Sequence, residues 1–289
     1  MDNFPKVSVL MTAFNREKYL AEAIESVLNS HYPNFELIIS DDCSTDSTLD
    51  IARDYESKDE RVKISTNKTN LGDYPNRNMA SSLAKGDYII YCDSDDVMYP
   101  HAIQTHIWCF NTFPDAALSF EDIHDDEGPF PRLLIPENAY KRHFFGNYLF
   151  SRAPGSVMIK REVFEKMNGF SGKRYIGDFE FWLKVAALFP IVLAPGLLSW
   201  ARTHEDQEKQ YDIIKYRLVS AEVALAALSA ETCPLSKLDS QLCSNRIKSN
   251  ISKLYSKELL KGNIDPRFFK SSLKKLGVGP LETLQYLFY

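Results

Sequence analysis

The chain has 289 residues, of which 44% are hydrophobic and 25% charged, with a formal net charge of −5. That length suits one large α/β domain with an appendage or two small domains, and the composition is that of a globular protein. An acidic body over residues 1–211 (22 Lys+Arg against 32 Asp+Glu) and a basic tail over 212–289 (12 against 7) argue against a nucleic-acid grip along the whole chain.

No apolar run reaches the length of a membrane span, and Met1 to Lys6 lacks a signal-peptide shape. Cys43, Cys92, Cys109, Cys233 and Cys243 are scattered and without CxxC spacing, which favours reduced thiols and a cytoplasmic setting.

The first hundred residues alternate strand and helix patterns. Val7 to Met11 reads as a buried strand, and Glu17 to Ser30 as a helix with Leu20, Ala23, Ile24, Val27 and Leu28 on one face. Phe35 to Ser40 is a second strand, followed by a helix opened by the cap-rich Ser44 to Thr48 and running to Tyr55. Val62 to Ser65 is a third strand, Asn76 to Ala84 a third helix, and Gly86 leads into the strand at Tyr88. The pattern weakens from Pro114 to Arg152, which reads as an irregular excursion or a loop region shaping an acceptor pocket. Order returns with the strand at Gly155 to Ile159, a short helix from Arg161 to Met167 and an apolar helix from Gly177 to Phe189. A strand, a turn and a strand follow over Ile191 to Arg202. Helices are expected over Tyr211–Glu231, Lys237–Lys261, Asp265–Leu276 and Leu281–Phe288, with a domain boundary at residue 211.

Repeated βα units imply a mostly parallel sheet flanked by helices, with ligands bound at the carboxyl ends of the strands. Asp41-Asp42 ends one strand and Asp93-Ser94-Asp95-Asp96 ends another, so both acidic clusters open into that crevice. Carboxylates this close repel unless a cation or strong donors sit among them. The spacing of Asp93 and Asp95 lets them approach one hard divalent ion from the same side, although a solvated Asp-capped turn would read the same in isolation. A GxGxxG after the first strand and a GxxxxGK[ST] are both absent.

Five segments in order carry a resemblance: Val7 to Asn15, Ser40 to Asp46, Asn70-Leu71-Gly72 with Arg77-Asn78, Gly86 to Asp96, and Gly177-Asp178-Phe179-Glu180-Phe181-Trp182. Over roughly residues 5–205 the chain resembles the family 2 inverting glycosyltransferases of the GT-A fold. The resemblance implies a Rossmann-like α/β domain over 1–211, with a mostly parallel mixed sheet, and a helical extension over 212–289. It implies a nucleotide-sugar donor, most naturally a UDP-sugar, a glycan or glycolipid acceptor, and Mn²⁺ or Mg²⁺ on the diphosphate. Thr12, Ala13 and Phe14 match the strand end that meets the base, with Phe14 stacking on it. Asp42 matches the acceptor for a pyrimidine N–H, Asp41 being the alternative, while Arg16 and Arg77 match basic positions near the diphosphate. Asp95 matches the direct metal ligand, Asp93 faces ribose or metal, and His204 lies where some members place a histidine by the metal.

Asp178 matches the catalytic base, with Glu180 as the alternative; on a helix their side chains diverge by about 200°. Its place at a helix start predicts a lowered pKa. Two other readings are a nucleotidyltransferase, disfavoured because Thr12 to Arg16 contains no glycine, and a catalytically silent nucleotide-sugar or glycan binder. The helical tail could pack on its own domain, form a homodimer, or make peripheral membrane contact through Leu281, Leu284, Leu287 and Phe288.

Overall fold

The computed structural model describes residues 4–122, 128–204 and 213–279. In chain order the elements are β1 (Val7–Ala13), α1 (Leu20–Leu28), β2 (Phe35–Asp41), α2 (Thr48–Lys58), β3 (Val62–Thr66), α3 (Asp73–Ser82), β4 (Tyr88–Tyr91), β5 (Val97–Met98) and α4 (Ala102–Thr112). They continue with β6 (Leu118–Asp122), β7 (Arg132–Leu134), α5 (Pro136–Phe145), β8 (Val157–Lys160), α6 (Arg161–Lys166), α7 (Gly177–Ala186), β9 (Ile191–Pro195), β10 (Ser199–Trp200), α8 (Ile213–Ser229), α9 (Lys237–Leu260) and α10 (Pro266–Lys275). The chain divides into two compact units, one of residues 1–139 and 149–204, the other of 140–148 and 205–289. The expected boundary at residue 211 and the expected helix over 281–288 lie outside the described residues.

The first unit is built on an eight-stranded sheet in the order β3-β2-β1-β4-β8-β6-β9-β7. Its first four strands are parallel, with Val7 beside Phe35 and Tyr88. β4 then meets β8 antiparallel, and β6 runs antiparallel to β8 and parallel to β9. Every residue of β2 is buried, and β1 is buried at all but Thr12. That is what continuous apolar runs covered on both faces produce. α1 turns Leu20, Ala23, Ile24 and Val27 toward the sheet, where they join Val9, Met11, Leu37 and Ile39 in one core.

Two sequence expectations change. The stretch after Pro114 holds a fully buried strand, β6, as well as β7 and α5. Its acidic end disguised it: Glu121 is 8% exposed, yet accepts from the Leu197 and Leu198 amides, and Asp122 meets Arg132 at 3.3 Å. Buried carboxylates with such donors are satisfied, so β6 carries polar residues in a central position. The third helix begins at Asp73 rather than Asn76, because Gly72 at φ +86° turns the chain into it.

In the second unit Leu218, Ala221, Ile251, Tyr255, Leu273, Leu276 and Val278 form the core, and the Tyr255 hydroxyl donates to the Ile214 carbonyl at 2.6 Å. Asp265 caps α10 by accepting from the Arg267 and Phe268 amides. No helix among the described residues is long and apolar enough to cross a membrane.

Candidate active site

Parallel strands deliver their carboxyl ends to one edge, and the loops there are tied by side chains rather than by ladder bonds. Asn15, at φ +53°, donates its amide to the Ser44 hydroxyl and accepts the Thr45 amide at 2.9 Å, joining the loops after β1 and β2. Thr12 and Ala13 pair with Ser40 and Asp41 at this edge, and Phe14 presents a 42% exposed ring just beyond them.

The two aspartates that end β2 are both buried and have different partners. Asp42 accepts from the Leu71 amide at 2.8 Å, the Gly72 amide at 2.9 Å and the Asn67 side chain at 2.8 Å, so it secures the loop leading to α3. Asp41 accepts from the Ser44 amide through Oδ2, while its Oδ1 is buried and without a partner. Oδ1 of Asp41 is therefore the acceptor here with unused capacity.

The Asp93–Asp96 turn is held from three directions. Arg77, 7% exposed, donates from Nε to Asp73 at 2.7 Å and forms an ion pair with Asp93 at 2.8 Å that lacks hydrogen-bond alignment. Burial opposes its charge, but Asp73 and Asp93 outweigh it and hold the guanidinium firmly protonated. Arg16 Nε and His204 Nε2 both meet Asp95 Oδ2, at 3.1 and 3.0 Å. Arg202 donates to the Asp95 carbonyl and, through its own amide, to Asp96, both at 2.9 Å, while its guanidinium reaches Glu22 on α1. Thus residues 107 apart in sequence close one turn.

Asp178 stands in the first turn of α7, accepting from the Phe179 amide at 2.7 Å. Its pKa is raised to about 6, not lowered. Burial is the largest cause, and it exceeds the opposing pull of the Phe179 amide, the Tyr74 hydroxyl and Arg77. The helix-terminus expectation fails because desolvation acts on the whole charge, whereas the helix end supplies a fraction of one. Glu180 faces a different group: Lys173 at 2.8 Å, Lys184 at 3.4 Å and the Ser171 hydroxyl. Burial pushes its pKa up, but these partners bring it below the usual value.

Arg77 and Asp93, Arg16 with Asp95 and His204, and Asp41 with Asp42 therefore gather at the strand ends, and Arg77 also acts on Asp178. Sequence reasoning missed Asp73, Tyr74 and Arg202. Tyr74 lies one turn before Arg77 on α3, and Arg202 lies two residues before His204, spacings that could have linked them to residues already singled out. A cavity of about 490 Å³ lined by Lys6, Glu36, Arg61, Lys63 and Lys85 lies instead at the amino ends of β2 and β3, remote from this chemistry.

Parallel strands that end at one edge of a mixed sheet flanked by helices define an α/β protein of the GT-A glycosyltransferase fold. A family model described as glycosyl transferase family 2 matches residues 8–167, and the chain belongs to that family. An uncharacterized glycosyltransferase of Haemophilus influenzae is 39% identical over 223 residues, covering 72% of this chain and 68% of the relative. Across the first curated relatives the matched segment spans 38% to 68% of their own lengths. Staphylococcus aureus TarS 1–349 in complex with UDP-GlcNAc superposes with a TM-score of 0.64 at 20% identity, covering 86% of this chain and 72% of TarS 1–349. The Pyrobaculum calidifontis mannosyltransferase PcManGT, in complex with GDP-Man and Mn²⁺, gives 0.58 at 13% identity, over 100% of this chain and 88% of the mannosyltransferase. At these identities the likeness is one of fold.

Proposed function

We propose that the protein transfers a sugar, with inversion, from a nucleotide-diphosphate donor to a polysaccharide or glycolipid acceptor, with Asp178 as the base. The observation that carries this reading is the paired environment of Arg77. Arg77 pairs with Asp73 at 2.7 Å and with Asp93 at 2.8 Å, and its charge also acts, less than burial does, on the Asp178 carboxyl. Asp178 takes the acceptor hydroxyl proton as that oxygen bonds to the anomeric carbon. The bond from that carbon to the diphosphate breaks on the opposite face, and Arg77 and Arg16 stand where negative charge grows. A base titrating at about 6 is ionised at neutral pH yet basic enough to accept the proton. A UDP-sugar is favoured because TarS, a fold relative, is described with UDP-GlcNAc.

The donor set suits a divalent cation on the diphosphate. Among the described residues no group of three His, Cys, Asp or Glu side chains forms a ready cage. Asp95 and His204, 3.0 Å apart, provide an oxygen and a nitrogen ligand, with Asp93 adjacent and phosphate oxygens left to complete the shell. The buried Nδ1 of His204, without a hydrogen-bond partner, adds a polar atom with spare capacity at this place. Such an ion supplies charge stabilisation to the leaving diphosphate.

The test is incubation of the full chain with UDP-, GDP-, dTDP- and CDP-sugars, with Mn²⁺ or with EDTA, reading release of the nucleotide diphosphate. One donor should be turned over only with metal, and Asp178→Asn should lower its transfer at least a thousandfold while binding UDP as before. Transfer by Asp178→Asn at the parent rate would remove the base assignment, and turnover unaffected by EDTA would remove the metal.

A further inference from the structure

Arg202 has no part in the transfer step, yet it is bonded to the turn that carries the donor-side aspartates. Its Nε donates to the Asp95 carbonyl and its amide to the Asp96 carboxylate, both at 2.9 Å, and its Nη2 reaches Glu22 of α1 at 2.5 Å. The guanidinium carbon also lies 5.2 Å from the ring centre of Tyr19 and 4.9 Å from the ring of Trp200. Tyr19 in turn packs on His204, ring centres 4.6 Å apart, and His204 Nε2 is 3.0 Å from Asp95 Oδ2. Asp95, His204, Tyr19 and Arg202 thus close a ring of contacts in which each touches the next. Resting on the reading of Asp95 and His204 as metal ligands, we propose that Arg202 is a positioning residue, which holds the Asp93–Asp96 turn against α1 and so sets the spacing of the two ligands.

The turn's backbone closes on itself through the Asp96 amide, which donates to the Asp93 carbonyl at 3.0 Å. Carboxylates clustered so closely repel one another and strain that closure. Arg202 opposes the opening, and it holds Asp95 by the main-chain oxygen rather than by the carboxylate. Arg16 does not duplicate this hold, because it meets the Asp95 carboxylate itself at 3.1 Å, the group a cation would draw on. A lysine at residue 202 would keep the charge. It lacks the planar fork that serves Asp95 and Glu22 together while lying against aromatic rings.

The experiment applies two readouts to the full chain. The first is amide hydrogen exchange by NMR without metal, comparing Asp96 in the turn with Cys92, whose amide donates to the Leu10 carbonyl at 2.9 Å. The second is a Mn²⁺ titration in the presence of UDP, followed by the electron spin resonance of free Mn²⁺. Arg202→Lys should speed exchange at Asp96 roughly tenfold, leave Cys92 unchanged, and weaken Mn²⁺ binding roughly tenfold. Glu22→Gln, at an exposed anchor, should move both readouts the same way by roughly twofold. A structural role alone would speed both amides alike and leave the Mn²⁺ affinity of the folded protein in place. An unmoved Asp96 amide overturns the proposal, as does Mn²⁺ binding by Arg202→Lys at the parent affinity; if Arg202→Lys does not fold, Glu22→Gln decides. A parent protein that binds no Mn²⁺ beside UDP would sink the metal reading, and an Asp96 amide loosened by Arg202→Lys would then still support the hold on the turn.

Discussion

A carboxyl held near pH 6 by burial works against the fold that contains it. Asp178 has an ordinary value of 3.8 and is raised to about 6, so the native chain holds this proton more tightly than the unfolded one. Between those pH values the native state binds more protons, and stability falls as pH rises. Above pH 6 the whole penalty is present, on the order of 3 kcal/mol; below pH 3.8 it is absent. Asp178→Asn removes the charge and keeps the acceptor for the Phe179 amide. Its melting temperature should therefore exceed that of the parent protein at pH 8 and match it near pH 4. Equal melting curves at pH 8 would mean that the carboxyl is not desolvated. Glu180 differs in sign, because its partners outweigh burial and stabilise the anion. Glu180→Gln should lower stability slightly at neutral pH and leave the acid limb of transfer near 6.

At the scale of elements, the parallel half of the sheet depends on how closely β4 approaches β1. Gly86 precedes β4, and a Cβ on it would stand 2.6 Å from the Ser8 amide nitrogen and 2.7 Å from the Lys6 carbonyl. These are backbone atoms of a central strand and its entry, which cannot swing aside as a side chain can. The Gly86 amide also donates to Ser8 Oγ, which donates in turn to the buried Glu36. Gly86→Ala should therefore cost roughly 3 kcal/mol or more. Denaturant unfolding checks it; a loss under 1 kcal/mol would show that β4 can shift without consequence. This βα order was legible because each strand up to β4 is an apolar run bounded by turn residues. β6 was not, since Glu121 and Asp122 draw their donors from residues 197–199 and Arg132, partners that no local window contains. The same limit applied at the site. Asp93, Asp95 and Asp178 stand out in local motifs, whereas Arg202 matters through a contact with a residue 107 positions away.

Across the whole molecule, two buried neutral histidines shape the response to acid. His106 on α4 is fully buried in the first unit, with Nδ1 2.8 Å from the Ser119 hydroxyl on β6 and Nε2 without a partner. His143 on α5 is 5% exposed in the second. Burial lowers both pKa values from 6.5 to about 3; at His143 it outweighs a backbone hydrogen bond with Tyr148 that acts the other way. The folded form of each ring resists protonation that the unfolded chain accepts freely. Their contribution is complete above pH 6.5 and is lost as pH falls toward 3, opposite in sign to that of Asp178. By pH 4.5 each ring should withdraw roughly 3 kcal/mol, while relief at Asp178 returns roughly 2 kcal/mol to the first unit. The chain is thus expected to lose stability as pH falls from 7 to 4.5. Urea unfolding at pH 7 and pH 4.5 tests this, followed by hydrogen exchange on α4 and on α8. His106→Gln and His143→Gln should each flatten the acid slope. Acid slopes left unchanged by both substitutions would show that neither ring governs the loss.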